Sequence, residues 1–372
     1  MSDRMKILFS GAVQDSLGYG EFARGFVCAL DSLGADVQIA PISLESQKID
    51  HGPKGRVCSK IALKKQVPPD VNIVCMIPEL FSRFKKPNCK NVGFTMWETD
   101  RLPQNWVDCC NDMDGIMVPC QWNKEVFVKS GVTVPVAVVC PGIDIPKNVE
   151  IKKDFDGLSF YTIGQFTERK NFKGLIRAYW AAFSGQDDVR LVLKTHRQDY
   201  SEVERNKILA ELAELRETVS LPHYPSIVFM GQLMPRRAID VLHAKNDCFV
   251  SAHRSEGLGL GLMEAMSHGN MVIGTDFSGN TEFMTDYNSL LIDYQMTPVS
   301  NMQWLSQWYK GDMLWAEPDL AQLAKAMRLV YDDREFAKMR GSAARDWLKE
   351  HFTWESAASK LVGEVEKMML KL

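Results

Sequence analysis

No stretch of the 372 residues approaches the roughly 20 consecutive apolar residues that a membrane-spanning helix needs, so no integral membrane segment is expected. The opening MSDRMKILFSG lacks the apolar run of a signal peptide. Nine cysteines occur, at 28, 58, 75, 89, 109, 110, 120, 140 and 248, but they are odd in number and no two have Cys-x-x-Cys spacing. This argues against a disulfide framework or a zinc ribbon and favours reduced thiols in a cytoplasmic protein. Histidines 196, 253 and 268 are too scattered for a zinc set. Neither sign of charge dominates, with 44 Lys and Arg against 47 Asp and Glu, a net of −3. The one local excess lies in residues 48–90, where Lys48, Lys54, Arg56, Lys60, Lys64, Lys65, Arg83, Lys85, Lys86 and Lys90 face only Asp50, Asp70 and Glu79. Such a segment is either a solvated face or a patch that meets phosphate-rich material, lipid head groups or nucleic acid.

What is present is a chain long enough for two domains, each with its own core. MKILFSG (5–11) reads as a buried strand, followed by a loop, a helix with Phe22, Phe26, Val27 and Leu30 on one side, and another strand. VNIVCMI (71–77), KNVGFTM (90–96), GIMVP (115–119) and VAVVCPG (136–142) continue the series. Polar, proline-bearing text at 143–156 predicts a linker. A second series follows: LSFYTIGQF (158–166), a helix carrying Phe172, Leu175, Ile176, Tyr179 and Phe183, then VRLVLKTH (189–196), SIVFMGQ (226–232), DCFVSAH (247–253) and NMVIGTD (270–276). From about 318 onward the pattern is helical. The expectation is an α/β protein of two doubly wound Rossmann-like domains facing across a cleft, one spanning 1–148 and the other 149–354. A C-terminal helix near 355–372 is expected to pack back on the first. Ligands of such sheets bind outside the carboxyl ends of the strands.

The most informative stretch is SEGLGLGLMEAMSHG (255–269). Gly257, Gly259 and Gly261 precede or open a helix that Gly269 would end in a left-handed cap, and amides at a helix start bind anions. GLGLG lacks the GxGxxG spacing of dinucleotide sites. Glu256 and Glu264 would repel a phosphate but accept hydrogen bonds from hydroxyls, two of them from a ribose diol. GQFTERKNFKGLIRAY (164–179) places Arg169 and Lys170 between a strand and a helix, where they read either as a solvated pair or as the neutralisers of a pyrophosphate.

These stretches resemble the E-x7-E region of retaining GT-B glycosyltransferases, family 4, the glycosyl transferases group 1. The likeness runs from the first strand through SAHRSEGLGLGLMEAMSHGNMVIGTDFSGNTEFM to HFTWESAASKL. The resemblance implies Glu256 beside the donor sugar and Glu264 on the nucleotide ribose. It places Gly257, Gly259, Leu260, Gly261, Ser278 and Gly279 along the donor, with Lys170 on its diphosphate and Arg169 as the substitute for the arginine missing at 165. Family members carry Arg at the position of Gln165, a departure at a donor contact. SLGYGEFARG resembles the family's mobile glycine loop, with Gly18 and Gly20 toward the donor phosphates and Tyr19 toward the acceptor. FTMWETDRLPQNW is similar to an acceptor-side loop, with Trp97 and Glu98 at its cleft end; Asp144, at the domain junction, is expected to be structural. Sugar transferases of the other major fold hold a metal on Asp-x-Asp, and Asp112-Met-Asp114 and Asp154-Phe-Asp156 match that triplet. The first leads into a strand away from the site and the second lies in the linker, so neither is expected to bind metal.

The implied function is a metal-independent, retaining hexosyltransferase with no other cofactor. It would move a sugar from a UDP- or GDP-linked donor to a glycan or lipid-linked saccharide, with catalysis shared by Lys170, Arg169, Glu256 and Glu98 and water excluded by domain closure. Hydroxymethylated bases of phage DNA, met through the basic 48–90 segment, form the alternative acceptor. A non-catalytic sugar-nucleotide binding protein or a phosphorylase on the same scaffold is the second alternative.

Overall fold

The computed structural model describes residues 5–16, 18–43, 50–147 and 151–370. They form two compact units, one from Met1–Asp144, Pro235–Arg237 and Glu350–Leu372, the other from Ile145–Met234 and Ala238–Lys349. The expected boundary at 148/149 and Lys48 lie outside the described residues.

The first unit holds a parallel six-stranded sheet of β1 (Lys6–Gly11), β2 (Asp36–Pro41), β3 (Val71–Cys75), β4 (Lys90–Phe94), β5 (Gly115–Val118) and β6 (Val136–Val138), in the order β2-β1-β3-β4-β5-β6. Strands of a parallel sheet covered on both faces read as near-continuous apolar runs, and every residue of β3 is buried, Asn72 included. The connecting helices are α1 (Gly18–Ser32), α2 (Gly52–Ala62), α3 (Phe81–Phe84), α4 (Gln104–Asn111) and α5 (Gln121–Lys129). The core joins β1, β3 and β4 to Phe22, Phe26 and Leu30 of α1 and to Leu361 and Val365 of the last helix.

In the second unit β7 (Leu158–Gln165), β8 (Val189–His196), β9 (Ser226–Met230), β10 (Cys248–Ser251), β11 (Met271–Thr275) and β12 (Leu290–Ile292) pair in parallel in the order β12-β11-β10-β7-β8-β9. An antiparallel hairpin, β13 (Tyr294–Pro298) with β14 (Leu314–Pro318), follows. The helices are α6 (Phe172–Ala182), α7 (Glu202–Thr218), α8 (Arg236–Lys245), α9 (Leu260–Ser267), α10 (Leu320–Asp332) and α11 (Arg334–His351). Side chains cap several of these helices at the expected chemistry: Asn171 Oδ1 accepts from Gly174 N, and Asp319 Oδ1 accepts from Ala321 N and Gln322 N. The apolar stripe of α6 meets α10 over the sheet, with Leu175, Ile176 and Tyr179 against the side of Leu323 and Met327.

The last helix, α12 (Trp354–Leu370), packs on α1 of the first unit. Close approach there depends on Gly25, because a Cβ at that position would lie 1.9 Å from Cη2 of Trp354. The indole cannot swing aside easily: it meets Phe26 edge-on at 5.5 Å and carries the Lys54 ammonium 4.4 Å from its ring centre. Lys54 in turn pairs with Asp144 at 2.6 Å, which gives that aspartate a structural partner. Gly25→Ala is therefore expected to cost about 2 kcal/mol and to loosen α12. A lower melting temperature with faster proteolytic cleavage near residues 350–353 would show it; an unchanged protein would refute the packing argument.

Candidate active site

The site of the second unit follows from its topology. The chain runs outward from β7 through β8 and β9, then returns to lay β10 on the other side of β7. Loops leaving the carboxyl ends of two such neighbours diverge and open a crevice, the usual ligand position of a doubly wound sheet. Here those loops are 166–171 after β7 and 252–259 after β10.

The loop after β7 turns back on itself, with Lys170 N and Asn171 N donating to Thr167 O, and Asn171 held in the left-handed region at φ 51°. The Lys170 side chain thereby lies over Gly164, whose absent Cβ would sit 3.5 Å from the lysine Cε. The loop after β10 is tied to it by a backbone bond from Arg254 N to Arg169 O at 2.7 Å. This juxtaposition brings both predicted cations onto one carboxylate. Lys170 Nζ donates to Glu256 Oε1, while Arg169 Nη1 lies 3.3 Å from Glu256 Oε2 and donates to Ser255 O at 2.8 Å.

Glu256 is 5% exposed. Burial on its own pushes its carboxyl upward, but Lys170 and then Arg169 outweigh that effect and hold it at about 2. A buried carboxylate without such partners would be strongly destabilising. The backbone of Glu256 is held as tightly as its side chain: its N–H donates to Ser278 Oγ at 2.8 Å, and its carbonyl accepts from Gly279 N at 3.0 Å. Ser278 adopts φ 73° to make that bond. Beneath lies His253, fully buried and bonded to Ser251 Oγ at 3.0 Å and Asn280 Oδ1 at 2.9 Å. Burial lowers its pKa to about 4, so it is a neutral prop at physiological pH.

Glycines 257, 259 and 261 lead into α9. Gly259 takes φ 93° and its carbonyl accepts from Leu262 N and Met263 N, which closes the first turn of the helix. Gly269 ends the helix segment at φ 79°, the predicted left-handed cap. Glu264 stands one turn into α9, its side chain 14% exposed and its Oε2 3.6 Å from His243 Nε2. Gln165, where an arginine was the expected family residue, donates through Nε2 to Arg197 O at 2.7 Å and so ties the end of β7 to the chain leaving β8.

The first unit assembles a separate group. Gly20 approaches the Asp15 carbonyl so closely that a Cβ would lie 2.1 Å from it, and Gly18 begins α1. Tyr19 shares a hydrogen bond of 3.1 Å with Thr95 Oγ1; burial pushes its phenol pKa up, and the charge of Glu98 adds to that. Trp97 turns inward: it is 2% exposed, its indole N–H donates to Thr99 Oγ1 and Arg101 O, and its ring meets Trp106 edge-on at 4.7 Å. Its place is to brace the loop that carries half-buried Glu98.

Half of the basic segment is paired with carboxylates, four of the five lying outside it. Lys54, Arg56, Lys64, Lys85 and Lys90 pair with Asp144, Asp50, Asp31, Asp112 and Asp114. Both Asp-x-Asp triplets are engaged likewise, since Asp154 pairs with Arg190 and Lys245. Sequence reasoning missed Arg254, which bridges Glu168 and Glu317 and so fastens the β7 loop to β14. It also missed His243; neither residue has a spacing signature.

Residues 158–306 match the family described as Glycosyl transferases group 1. The alpha-maltose-1-phosphate synthase of Mycolicibacterium smegmatis is 23% identical over 223 residues, covering 59% of this chain and 50% of the synthase. The match thus spans about half the length of that relative. Among solved structures, sucrose-phosphate synthase from Thermosynechococcus elongatus is similar with a TM-score of 0.67 at 16% identity, over 98% of this chain and 99% of that one. HepE of Anabaena, in complex with UDP and glucose, gives 0.63 at 14% identity over 98% and 100%. Over residues 158–306 the chain thus resembles the group 1 glycosyl transferases, and it has the GT-B fold of the sucrose-phosphate synthase and HepE structures.

Proposed function

We propose that the chain transfers a sugar from a UDP- or GDP-linked donor to a hydroxyl of a glycan or lipid-linked saccharide, with retention at the anomeric carbon and without a metal. The observation that carries the reading is the convergence of Arg169 and Lys170 on buried Glu256, at the point where β7 and β10 diverge beside the start of α9. In sugar transfer the bond from the anomeric carbon to the diphosphate breaks as the acceptor oxygen bonds to that carbon, and negative charge grows on the leaving phosphate. Two fixed cations and a helix start can hold such charge, each preorganised donor contributing about 3 kcal/mol. Glu256, kept ionised, accepts from donor-sugar hydroxyls and shares Lys170 with the arriving diphosphate. The acceptor attacks from the face the leaving group occupies, and its proton passes to the departing phosphate oxygen. The uridine complex of HepE and the alpha-linked product named for the mycobacterial relative support a UDP donor and retention. The carboxylate partners of Lys54, Arg56, Lys64, Lys85 and Lys90 reduce the positive field on which the DNA reading relied.

The test is a panel of nucleotide sugars, scored by diphosphate release with and without saccharide acceptors, in buffer containing a chelator. Turnover with one donor, retained with the chelator and giving a product of unchanged anomeric configuration, is expected. Absence of turnover with every donor would refute the enzymatic reading. Glu264→Ala should weaken nucleoside diphosphate binding about 10- to 100-fold, the loss of hydrogen bonds to a charged acceptor. Calorimetry reads it, and an affinity equal to wild type would remove Glu264 from the donor site.

A further inference from the structure

The structure assigns to His243 a positioning role: it fixes the carboxylate of Glu264 through a hydrogen-bond chain that begins at Asn270 and Tyr161. The inference rests on the reading of Glu264 as the ribose ligand.

His243, on α8, is fully buried, and its ring meets Tyr161, Phe249, His268 and Glu264. The Asn270 side chain settles which proton goes where. Its terminal atom lies 2.7 Å from the His243 carbonyl oxygen, which can only accept, so that atom is the amide nitrogen. The same nitrogen lies 2.7 Å from the Tyr161 hydroxyl oxygen and donates to it. Tyr161 is fully buried, and its own proton has one acceptor among its hydrogen-bond partners, His243 Nδ1 at 2.7 Å. An Nδ1 that accepts leaves the ring proton on Nε2. That Nε2 has no hydrogen-bond acceptor within ordinary range, and the carboxylate oxygen nearest to it is Glu264 Oε2 at 3.6 Å.

The chain therefore runs from Asn270 N–H to the Tyr161 oxygen, from Tyr161 O–H to His243 Nδ1, and from His243 Nε2–H toward Glu264. A neutral imidazole locked in this tautomer presents a donor to one carboxylate oxygen of Glu264, Oε2. The stacked His268 ring, 5.0 Å away, keeps the imidazole from rotating out of line. A slight approach of Glu264 when a diol binds would close the 3.6 Å separation into a hydrogen bond. Orientation of a binding carboxylate by a second residue is a common requirement of precise sites.

The test compares the full chain with the variants Tyr161→Phe, His243→Phe and Glu264→Ala. The ligand is whichever of UDP, GDP and ADP wild type binds best, set against its 2′,3′-dideoxy analogue by calorimetry. Wild type should prefer the ribose form by about 10-fold or more, and Glu264→Ala should abolish that preference. Tyr161→Phe, which removes one oxygen and keeps the ring, should reduce the preference at least threefold with affinity for the dideoxy analogue unchanged, as should His243→Phe. A merely structural role would weaken both ligands equally. If wild type and Glu264→Ala behave as expected but folded Tyr161→Phe and His243→Phe keep the full preference, the positioning role is overturned while the site reading stands. If wild type shows no preference, Glu264 does not meet the ribose and both fall.

Discussion

Lys170→Met is expected to lower kcat about 100-fold or more, with a smaller change in donor KM, because a cation facing the leaving diphosphate acts mostly on charge that develops in the transition state. The same variant should acquire a pH dependence that wild type lacks. In wild type the upward push of burial on Glu256 is outweighed by Lys170 first and Arg169 second, which keeps the carboxyl at about 2. With Lys170 gone, burial and Arg169 remain, so the carboxyl titrates at a higher pH. Activity of the variant should then fall on acidification through a range where wild type stays level. Stability carries the same sign. A carboxyl whose folded-state pKa lies below its unfolded value stabilises the fold above the unfolded pKa, near 4.5, and loses that contribution as pH falls toward 2. The variant should therefore lose stability at neutral pH and little further between pH 5 and 3. Rate profiles and melting temperatures across pH 3–8 test both points. A variant with the rate and pH profile of wild type would remove Lys170 from catalysis and from the control of Glu256.

How much of this could be read from the sequence depends on whether the deciding interaction is local. The parallel strands were readable because burial on both faces leaves near-continuous apolar runs such as VNIVC and VRLVL, each with a single polar residue, and the loops at their carboxyl ends could be located with them. Arg169, Lys170 and Glu256 were each singled out in the sequence, the two cations only with the help of the family resemblance, but that the cations grip Glu256 itself depends on β10 lying beside β7, which no local pattern encodes. Trp97 looks the same in sequence whether it faces ligand or core. Its inward turn follows from Thr99, Arg101 and Trp106, whose combined partnership only the folded loop creates. The basic segment shows the same dependence on tertiary contacts: four of the five carboxylate partners, Asp31, Asp112, Asp114 and Asp144, lie outside it, so a local charge count overstates its field. The β13–β14 hairpin and its tie through Arg254 to Glu168 were missed because β13 is almost wholly exposed and β14 shows no alternation of buried and exposed positions.

Gly279→Ala is expected to have the second large effect, and it isolates backbone geometry from side-chain chemistry. An added Cβ would lie 2.4 Å from the carbonyl oxygen of Gly257, 2.5 Å from its carbon and 2.6 Å from Leu258 Cα. All three obstacles are backbone, so no side-chain rotation relieves the clash; either the 257–259 loop or the 278–280 segment must move. Movement of either strains the bond from Gly279 N to Glu256 O and the one from Glu256 N to Ser278 Oγ, which together hold the Glu256 backbone. It also displaces the entry to α9, where Gly259 relies on φ 93°. The expected cost is about 1–3 kcal/mol of stability with nucleoside diphosphate affinity reduced about 10-fold or more, since the amides at the helix start leave their positions. Gly363→Ala supplies the contrast: that glycine lies within α12 with open space where its Cβ would go, so alanine should leave binding untouched and raise stability by about 0.5–1 kcal/mol. Should Gly279→Ala keep both the melting temperature and the nucleotide affinity of wild type, the close packing of these two loops would not be what shapes the donor site.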